Sequence, residues 1–142
     1  MDRRLLLRGR GRLRRPRPRL PTLHRARAGK ACRGPANTLY PYGPTYAGLT
    51  CNGADQPVQG VLPTGQLAAC VVTGATLFDL SGNVAEWTTT QTNVAAAPDR
   101  IFQLHGGSYL SPSLGLACTI ELAPRAAEKT LLPNIGFRCC KD

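Results

Sequence analysis

The apolar positions of the chain fall into short runs separated by turn residues. Gly, Pro, Asn and Asp recur every few residues, and the longer apolar runs between them cover residues 67–72, 76–80, 101–104 and 135–137. None of these runs is long or periodic enough to predict an amphipathic helix, whereas short strands bounded by turns fit them. The pattern predicts a loop-rich α+β domain with little regular secondary structure and a few short strands.

Positive charge is concentrated at the start of the chain. Residues 1–33 contain thirteen of the eighteen Lys and Arg residues and one acid, Asp2, whereas the rest of the chain is slightly acidic. Such a segment buries too little apolar surface to offset its ordering entropy, so we expect residues 1–31 to form a disordered tail and residues 32–142 to form the domain. The run Leu5–Leu7 is too short for a secretory signal, and no run is long enough to span a membrane.

Three interpretations of the basic tail remain open. It could bind nucleic acid through its Arg side chains, but it has no aromatic residue that would stack on bases, which disfavours nucleic acid as a partner. It could be an organelle-targeting peptide, although it is poor in Ser. It could also come from a shifted reading frame, because GC-rich codons give Arg, Pro, Gly and Ala in any frame. We favour the third interpretation.

Six cysteines could stabilise a loop-rich domain of this size through disulfides. They are Cys32, Cys51, Cys70, Cys118, Cys139 and Cys140. Fifteen pairings are possible, and the adjacent Cys139 and Cys140 are poorly placed to join each other. Zinc is the alternative, but the chain has no Cys-x-x-Cys pair and only two His residues. The cysteine content predicts disulfides and an oxidising, extracytoplasmic compartment.

Three oxygen-bearing side chains lie close together around a glycine turn. Asp79, Asn83 and Glu86 fall within eight residues, and hard oxygen donors in a flexible loop suit Ca²⁺. In the alternative interpretation Asn83 adopts a turn conformation and Glu86 is solvated or caps a backbone group, so the turn has only a structural role. Trp87 belongs to the core in either case.

Several sequence blocks, in a fixed order, resemble one known family. The blocks are Cys32-Arg33-Gly34, Tyr40-Pro41-Tyr42-Gly43, Gly82-Asn83-Val84-Ala85-Glu86-Trp87, Gly106-Gly107-Ser108-Tyr109 and Asn134-Ile135-Gly136-Phe137-Arg138-Cys139. Together they resemble the C-terminal half of the formylglycine-generating enzyme (sulfatase-modifying factor) family, over about residues 30–142. The resemblance implies a C-type-lectin-like fold and a truncated domain. The family's acidic segment before Cys-Arg-Gly is missing after Thr22, which supports the shifted frame.

The resemblance also implies pairings and a metal site. It pairs Cys32 with Cys118, and we then pair Cys51 with Cys70 by their proximity. It implies a calcium site with the side chains of Asn83 and Glu86 and the carbonyl oxygen of Val84 as ligands. The family pairs the cysteine that corresponds to Cys139 with one upstream of Cys32, and this chain has no cysteine there.

The same resemblance argues against the reaction for which the family is named. Its enzymes bind copper(I) through two cysteines, and the corresponding residues here are Ser111 and Leu116, neither of which offers the thiolate that Cu(I) requires. Iron is also disfavoured, because His24 and His105 belong to no His cluster, and we expect His105 to be a surface or packing residue. No catalytic residue is predicted.

Two functions follow from these observations. The first is a non-catalytic, calcium-supported binding or structural module outside the cytoplasm, with a protein or a glycan as its ligand. The alternative is a fragment of an oxidoreductase of the formylglycine-generating or non-heme-iron sulfoxide-synthase type whose metal ligands lie elsewhere.

Overall fold

A mixed four-stranded sheet and one helix are the regular elements of the chain. The computed structural model describes residues 25–119 and 124–139. In chain order the elements are helix α1 (Arg25–Arg33), strand β1 (Ala85–Gln91), strand β2 (Ile101–His105), a 3₁₀ turn (Ser113–Leu116), strand β3 (Arg125–Ala127) and strand β4 (Ile135–Gly136). The strand order is β3-β2-β1-β4. β2 is antiparallel to both β1 and β3, whereas β4 is parallel to β1.

Two strands of the sheet coincide with predicted apolar runs, and two, β1 and β3, were not predicted by the pattern. β2 covers the run 101–104 and extends one residue beyond it, and β4 lies in the run 135–137. β1 has the sequence Ala-Glu-Trp-Thr-Thr-Thr-Gln. A search for apolar runs does not detect it because most of its residues are polar, although Thr favours strands. The Thr88 hydroxyl donates to the Gln103 carbonyl oxygen at 2.7 Å, so this buried polar side chain is satisfied across the strand pair.

Helix α1 overlaps the end of the basic segment that the sequence assigns to a disordered tail. Ala28 and Cys32 are buried, whereas Arg27 and Lys30 are exposed. The boundary expected at residue 32 therefore falls inside a helix, because small buried residues one turn apart supply a packing face that an Arg-rich composition conceals. The helix ends at Arg33, and the next residue, Gly34, has φ +61° and donates its amide to the Lys30 carbonyl. Residues 1–24 lie outside the described residues.

The prediction of disulfides is confirmed. The structure joins Cys32 to Cys118 and Cys51 to Cys70. The first disulfide attaches α1 to the segment after the 3₁₀ turn, where Val72 and Leu80 pack around it. Cys139 is exposed and forms no disulfide, and Cys140 lies outside the described residues.

The loop-rich character that the sequence predicts is confirmed most clearly between α1 and β1. Residues 34–84 contain no helix or strand and only the isolated bridges Tyr40–Gly43 and Val71–Phe78. No helix in the described residues is long and apolar enough to cross a membrane. The chain is thus a small α+β domain in which irregular backbone positions the side chains of interest.

Candidate functional site

A cavity of about 250 Å³ lies between the turn before β1 and the segment that follows β4. The turn includes Asp79, Gly82 and Asn83, whose φ values are +55°, +80° and +63°. Gly adopts this left-handed conformation at no cost, and Asp and Asn tolerate it better than other residues do. The turn points its polar side chains into one volume. The lining residues are Thr64, Asp79, Asn83, Val84, Glu86, Phe137, Arg138 and Cys139.

Glu86 and Arg138 form a partly buried ion pair at this cavity. Arg138 Nε lies 2.9 Å and 3.2 Å from the two carboxylate oxygens of Glu86, and Arg138 Nη2 lies 2.8 Å from Oε1. Arg138 Nη2 also donates to the Phe78 carbonyl oxygen at 2.9 Å. Burial raises the pKa of Glu86, the guanidinium of Arg138 opposes that rise, and the nearby charge of Asp79 adds to it. The two carboxylates are therefore close enough to repel each other.

Asn83 joins two loops at the cavity wall. Its Oδ1 accepts from Asn52 Nδ2 at 3.0 Å and from the Leu62 amide at 2.9 Å, and its Nδ2 donates to the Leu62 carbonyl at 3.0 Å. The two lone pairs of the amide oxygen are thus already used. Asp79 Oδ2 accepts from the Gly65 amide at 2.7 Å. Each side chain at the turn fixes a different loop.

The structure brings the three predicted calcium ligands, Asn83, Val84 and Glu86, to one cavity. It adds two residues that the predicted ligand set did not include, Asp79 and Arg138. Asp79 stood out in the sequence as an oxygen donor. Arg138 carried no such signal beyond its place in the Gly-Phe-Arg block, and its contact with Glu86 spans 52 residues of sequence. The described residues hold no group of three or more His, Cys, Asp or Glu side chains in metal-binding proximity.

The two positions to which the resemblance assigns the family's copper cysteines carry side chains without a thiol. Ser111 Oγ accepts from the Ser108 amide at 3.0 Å. Leu116 is 1% exposed and packs with Tyr40 and Ala117. Cys118, two residues further on, is used in the disulfide to Cys32. A two-thiolate site cannot form from these residues.

His105 is buried at the end of β2 and accordingly has a packing position, not a surface one. It is 2% exposed, and neither ring nitrogen has a hydrogen-bond partner among the described residues. Burial, with a smaller contribution from the charge of Arg33, lowers the pKa of His105 to about 4. The imidazole is therefore neutral at neutral pH. Gly106 follows it with φ +85°, and a Cβ there would lie 2.7 Å from the Leu80 carbonyl oxygen.

Comparison with known proteins identifies the family. Residues 14–142 match the family described as the sulfatase-modifying factor enzyme 1-like domain. The crystal structure of CarF superposes with a TM-score of 0.57 at 25% identity, over 87% of this chain and 48% of that one. Variable protein 1 of Treponema denticola superposes with a TM-score of 0.61 at 17% identity, over 82% and 45%.

This chain spans about half the length of those two structures. No curated protein sequence matches it. The family match covers far more than half of the chain and includes the disulfides, the sheet and the cavity described above. The chain belongs to the family of sulfatase-modifying factor enzyme 1-like domains.

Proposed function

We propose that this chain is a non-catalytic binding or structural module that acts outside the cytoplasm. The observation that carries the proposal is the pair Ser111 and Leu116, which stand where the family's copper-dependent enzymes have cysteines. The hydroxyl of Ser111 holds a turn and Leu116 fills the core, so both positions support the scaffold. The irregular loops around the cavity suit recognition of a protein or a glycan, because surface loops on a fixed scaffold commonly carry binding.

A copper assay tests the non-catalytic proposal. The purified chain is incubated with Cu(I), oxygen and a cysteine-containing sulfatase peptide, and formylglycine is measured by mass spectrometry. We expect neither stoichiometric copper nor formylglycine. The Ser111→Cys/Leu116→Cys variant is the matched comparison, because it restores two thiols at these positions and is expected to gain Cu(I) binding. Formylglycine formation by the unchanged chain, or stoichiometric copper or iron in it, would refute the proposal.

The cavity at the turn before β1 is the place where the module would hold Ca²⁺. Asp79 and Glu86 would supply carboxylates and Val84 a carbonyl oxygen, because all three residues line the cavity and Ca²⁺ prefers oxygen donors of these kinds. The fit of Asn83 as a ligand is poor, since its Oδ1 already accepts two hydrogen bonds. Asn83 would instead hold the loops in place around the ion. Bound Ca²⁺ would neutralise the buried carboxylates and fix the turn.

Calcium titration by calorimetry, with the melting temperature recorded with and without chelator, tests this site. We expect Asp79→Asn and Glu86→Gln to weaken binding. Asp99→Asn is the matched control, because Asp99 is an exposed acid in a weak surface contact with Lys129, and we expect no change. Equal affinities in all four proteins would refute the assignment.

The extracytoplasmic location and the C-type-lectin-like form of the fold belong to the same proposal. Two disulfides, with Cys32 and Cys70 completely buried, support an oxidising compartment. Alkylation of the protein in intact cells before and after reduction tests the location. Four of the six cysteines should be protected until reductant is added, and alkylation of all six without reductant would contradict it.

A further inference from the structure

An apolar groove of about 400 Å³ lies between helix α1 and the turn 71–78. Val72, which is 2% exposed, and the partly buried Ala31 lie at its base and belong to one packed cluster. Leu77, which is 40% exposed, and the exposed Ala75 form its outer side. The volume falls within the range of about 300–1,000 Å³ that is typical of ligand sites. The groove is therefore large enough to receive a side chain of another molecule.

Backbone contacts and a disulfide fix the walls of this groove. The Val72 amide donates to the Leu77 carbonyl oxygen at 2.9 Å, which closes the turn 71–78. The Thr73 amide donates to the Pro41 carbonyl oxygen at 2.9 Å and attaches the turn to the preceding loop. On the other side, α1 is held by the disulfide of Cys32. A preformed groove loses little conformational freedom when it binds a partner.

Two cations border the groove on its helix side. Arg27 and Lys30 line it, are exposed, and lie about one helical turn apart on the same face of α1. In the part of the chain that the structure describes, no ion pair involves either side chain and no acidic residue lines the groove. Lys30 lies in the last helical turn, where a cation favours the helix dipole, but Arg27 does not. The rim of the groove is thus positively charged.

The lining of the groove selects among the anionic partners that such a rim attracts. A glycan is disfavoured, because the lining side chains other than Arg27 and Lys30 are apolar and buried hydroxyls without hydrogen bonds are costly. A nucleic acid is disfavoured, because the described lining has no aromatic residue on which bases could stack. A flat lipid surface does not reach a recessed residue such as Val72. A protruding apolar side chain of a protein does reach it.

We infer that the groove beside α1 is a docking site for an acidic segment of a partner protein, in which an apolar side chain enters the groove and carboxylates pair with Arg27 and Lys30. This inference rests on the proposed binding role of the chain and adds a surface and the chemistry of its partner. Burial of the apolar side chain supplies most of the affinity. The exposed ion pairs contribute less to the affinity and increase the association rate.

Fluorescence anisotropy of labelled peptides with the full chain tests the docking site. The first peptide repeats Glu-Leu-Leu-Glu, and its two counterparts replace every Glu by Gln or every Leu by Ser. We expect the first peptide to bind and the Ser counterpart to bind about tenfold or more weakly, because it has no apolar side chain for the groove. At low salt the Gln counterpart should bind about fivefold more weakly than the first peptide. Added salt should weaken only the acidic peptides.

Substitutions in the groove test its apolar contact. Leu77→Asp places a negative charge at the groove and should weaken binding of the first peptide about tenfold or more. Leu131→Asp is the matched control, because Leu131 is 94% exposed and does not line the groove. Its affinity should equal that of the unchanged chain.

Substitutions at the rim test its charge and separate it from the basic tail. Arg27→Glu/Lys30→Glu should weaken binding about tenfold, because two attractive contacts become repulsive. Arg125→Glu/Lys129→Glu is the matched control, because it changes the net charge equally at two exposed positions outside the groove. Both variants keep every Arg of residues 1–24.

The outcomes distinguish this inference from the proposed function on which it rests. Absence of binding of the first peptide to the unchanged chain would overturn the docking site. Undiminished binding to Leu77→Asp or to Arg27→Glu/Lys30→Glu would assign the binding to the basic tail and would also overturn it. Vesicles of phosphatidylserine and phosphatidylcholine are the comparison, and binding of these vesicles alone, weakened by the groove variants, would replace the protein partner by a lipid surface. The copper assay decides the non-catalytic proposal independently of every peptide result.

Discussion

The irregular segment 34–84 and the four-stranded sheet are stabilised by different kinds of contact. In the segment, single side chains such as Asn83, the Cys51–Cys70 disulfide and short turns hold the backbone. In the sheet, repeated backbone hydrogen bonds join the strands around a small cluster of Ala85, Leu104 and Ala126. A single substitution is therefore expected to lower stability more in the segment than in the sheet, where many backbone hydrogen bonds contribute.

Among the changes that test this comparison, loss of a disulfide is expected to lower the free energy of unfolding most. Replacing Cys32 and Cys118 by Ser opens a connection between residues 86 apart and should lower the free energy of unfolding by about 4–5 kcal/mol. The Cys51→Ser/Cys70→Ser variant opens a separation of 19 and should cost about 3 kcal/mol. Urea denaturation of both variants measures the difference. A larger loss from the shorter connection would contradict the chain-entropy argument.

His105 lies in the sheet, yet we expect this single residue to have a large effect on stability. Its pKa is lowered to about 4 in the folded chain, whereas the unfolded value is about 6.5. As the pH falls, the unfolded chain binds a proton at His105 before the folded chain does. The contribution of His105 to stability is therefore complete above about pH 6.5 and is lost as the pH falls towards 4, by an amount on the order of 3 kcal/mol.

His105→Leu should remove this part of the pH dependence. Urea denaturation between pH 4 and 7 measures it in both proteins, which differ only at this residue. Identical slopes for the two proteins would show that His105 does not contribute to the pH dependence of folding.

Asn83 tests the dependence of the irregular segment on one side chain. Asn83→Ala removes the acceptor of Asn52 Nδ2 and of the Leu62 amide and should lower the free energy of unfolding by about 2–3 kcal/mol, since buried donors lose their partners. Thr89→Ala on β1 is the control, because Thr89 is exposed in a strand, and it should change stability by less than about 0.5 kcal/mol. Similar losses for the two variants would refute the contrast.

Gly82 gives the smallest of these effects. It has φ +80°, and an added Cβ would overlap the carbonyl oxygen of Asn52. Gly82→Ala should cost about 2 kcal/mol from backbone strain. Gly60→Ala is the matched control, because no atom lies within 4 Å of a Cβ there, and thermal denaturation should show little change. Tolerance of Ala at both positions would mean that the turn can relax.

Some elements were predictable from the sequence because their signals are local. The apolar run 101–104 predicted all of β2 except its last residue, the run 135–137 contains β4, and the dense turn residues predicted the loop-rich character. The sequence pattern did not predict β1 or α1, for two different reasons. The apolar face of β1 is interrupted by Thr, and the buried face of α1 consists of small residues inside a strongly basic sequence. Propensity and composition are weak guides when tertiary packing selects small or polar side chains.

The sequence by itself determined the family, the number of cysteines and the replacement of two thiols by Ser111 and Leu116, because these depend only on which residues occupy which positions. Only the tertiary structure decided that Arg138 pairs with Glu86, that the Asn83 amide oxygen is already used and that His105 is buried without a partner among the described residues. Each of those facts is a contact between distant parts of the chain. Residue spacing does not encode such contacts, since they arise only when folding brings separate loops to one place.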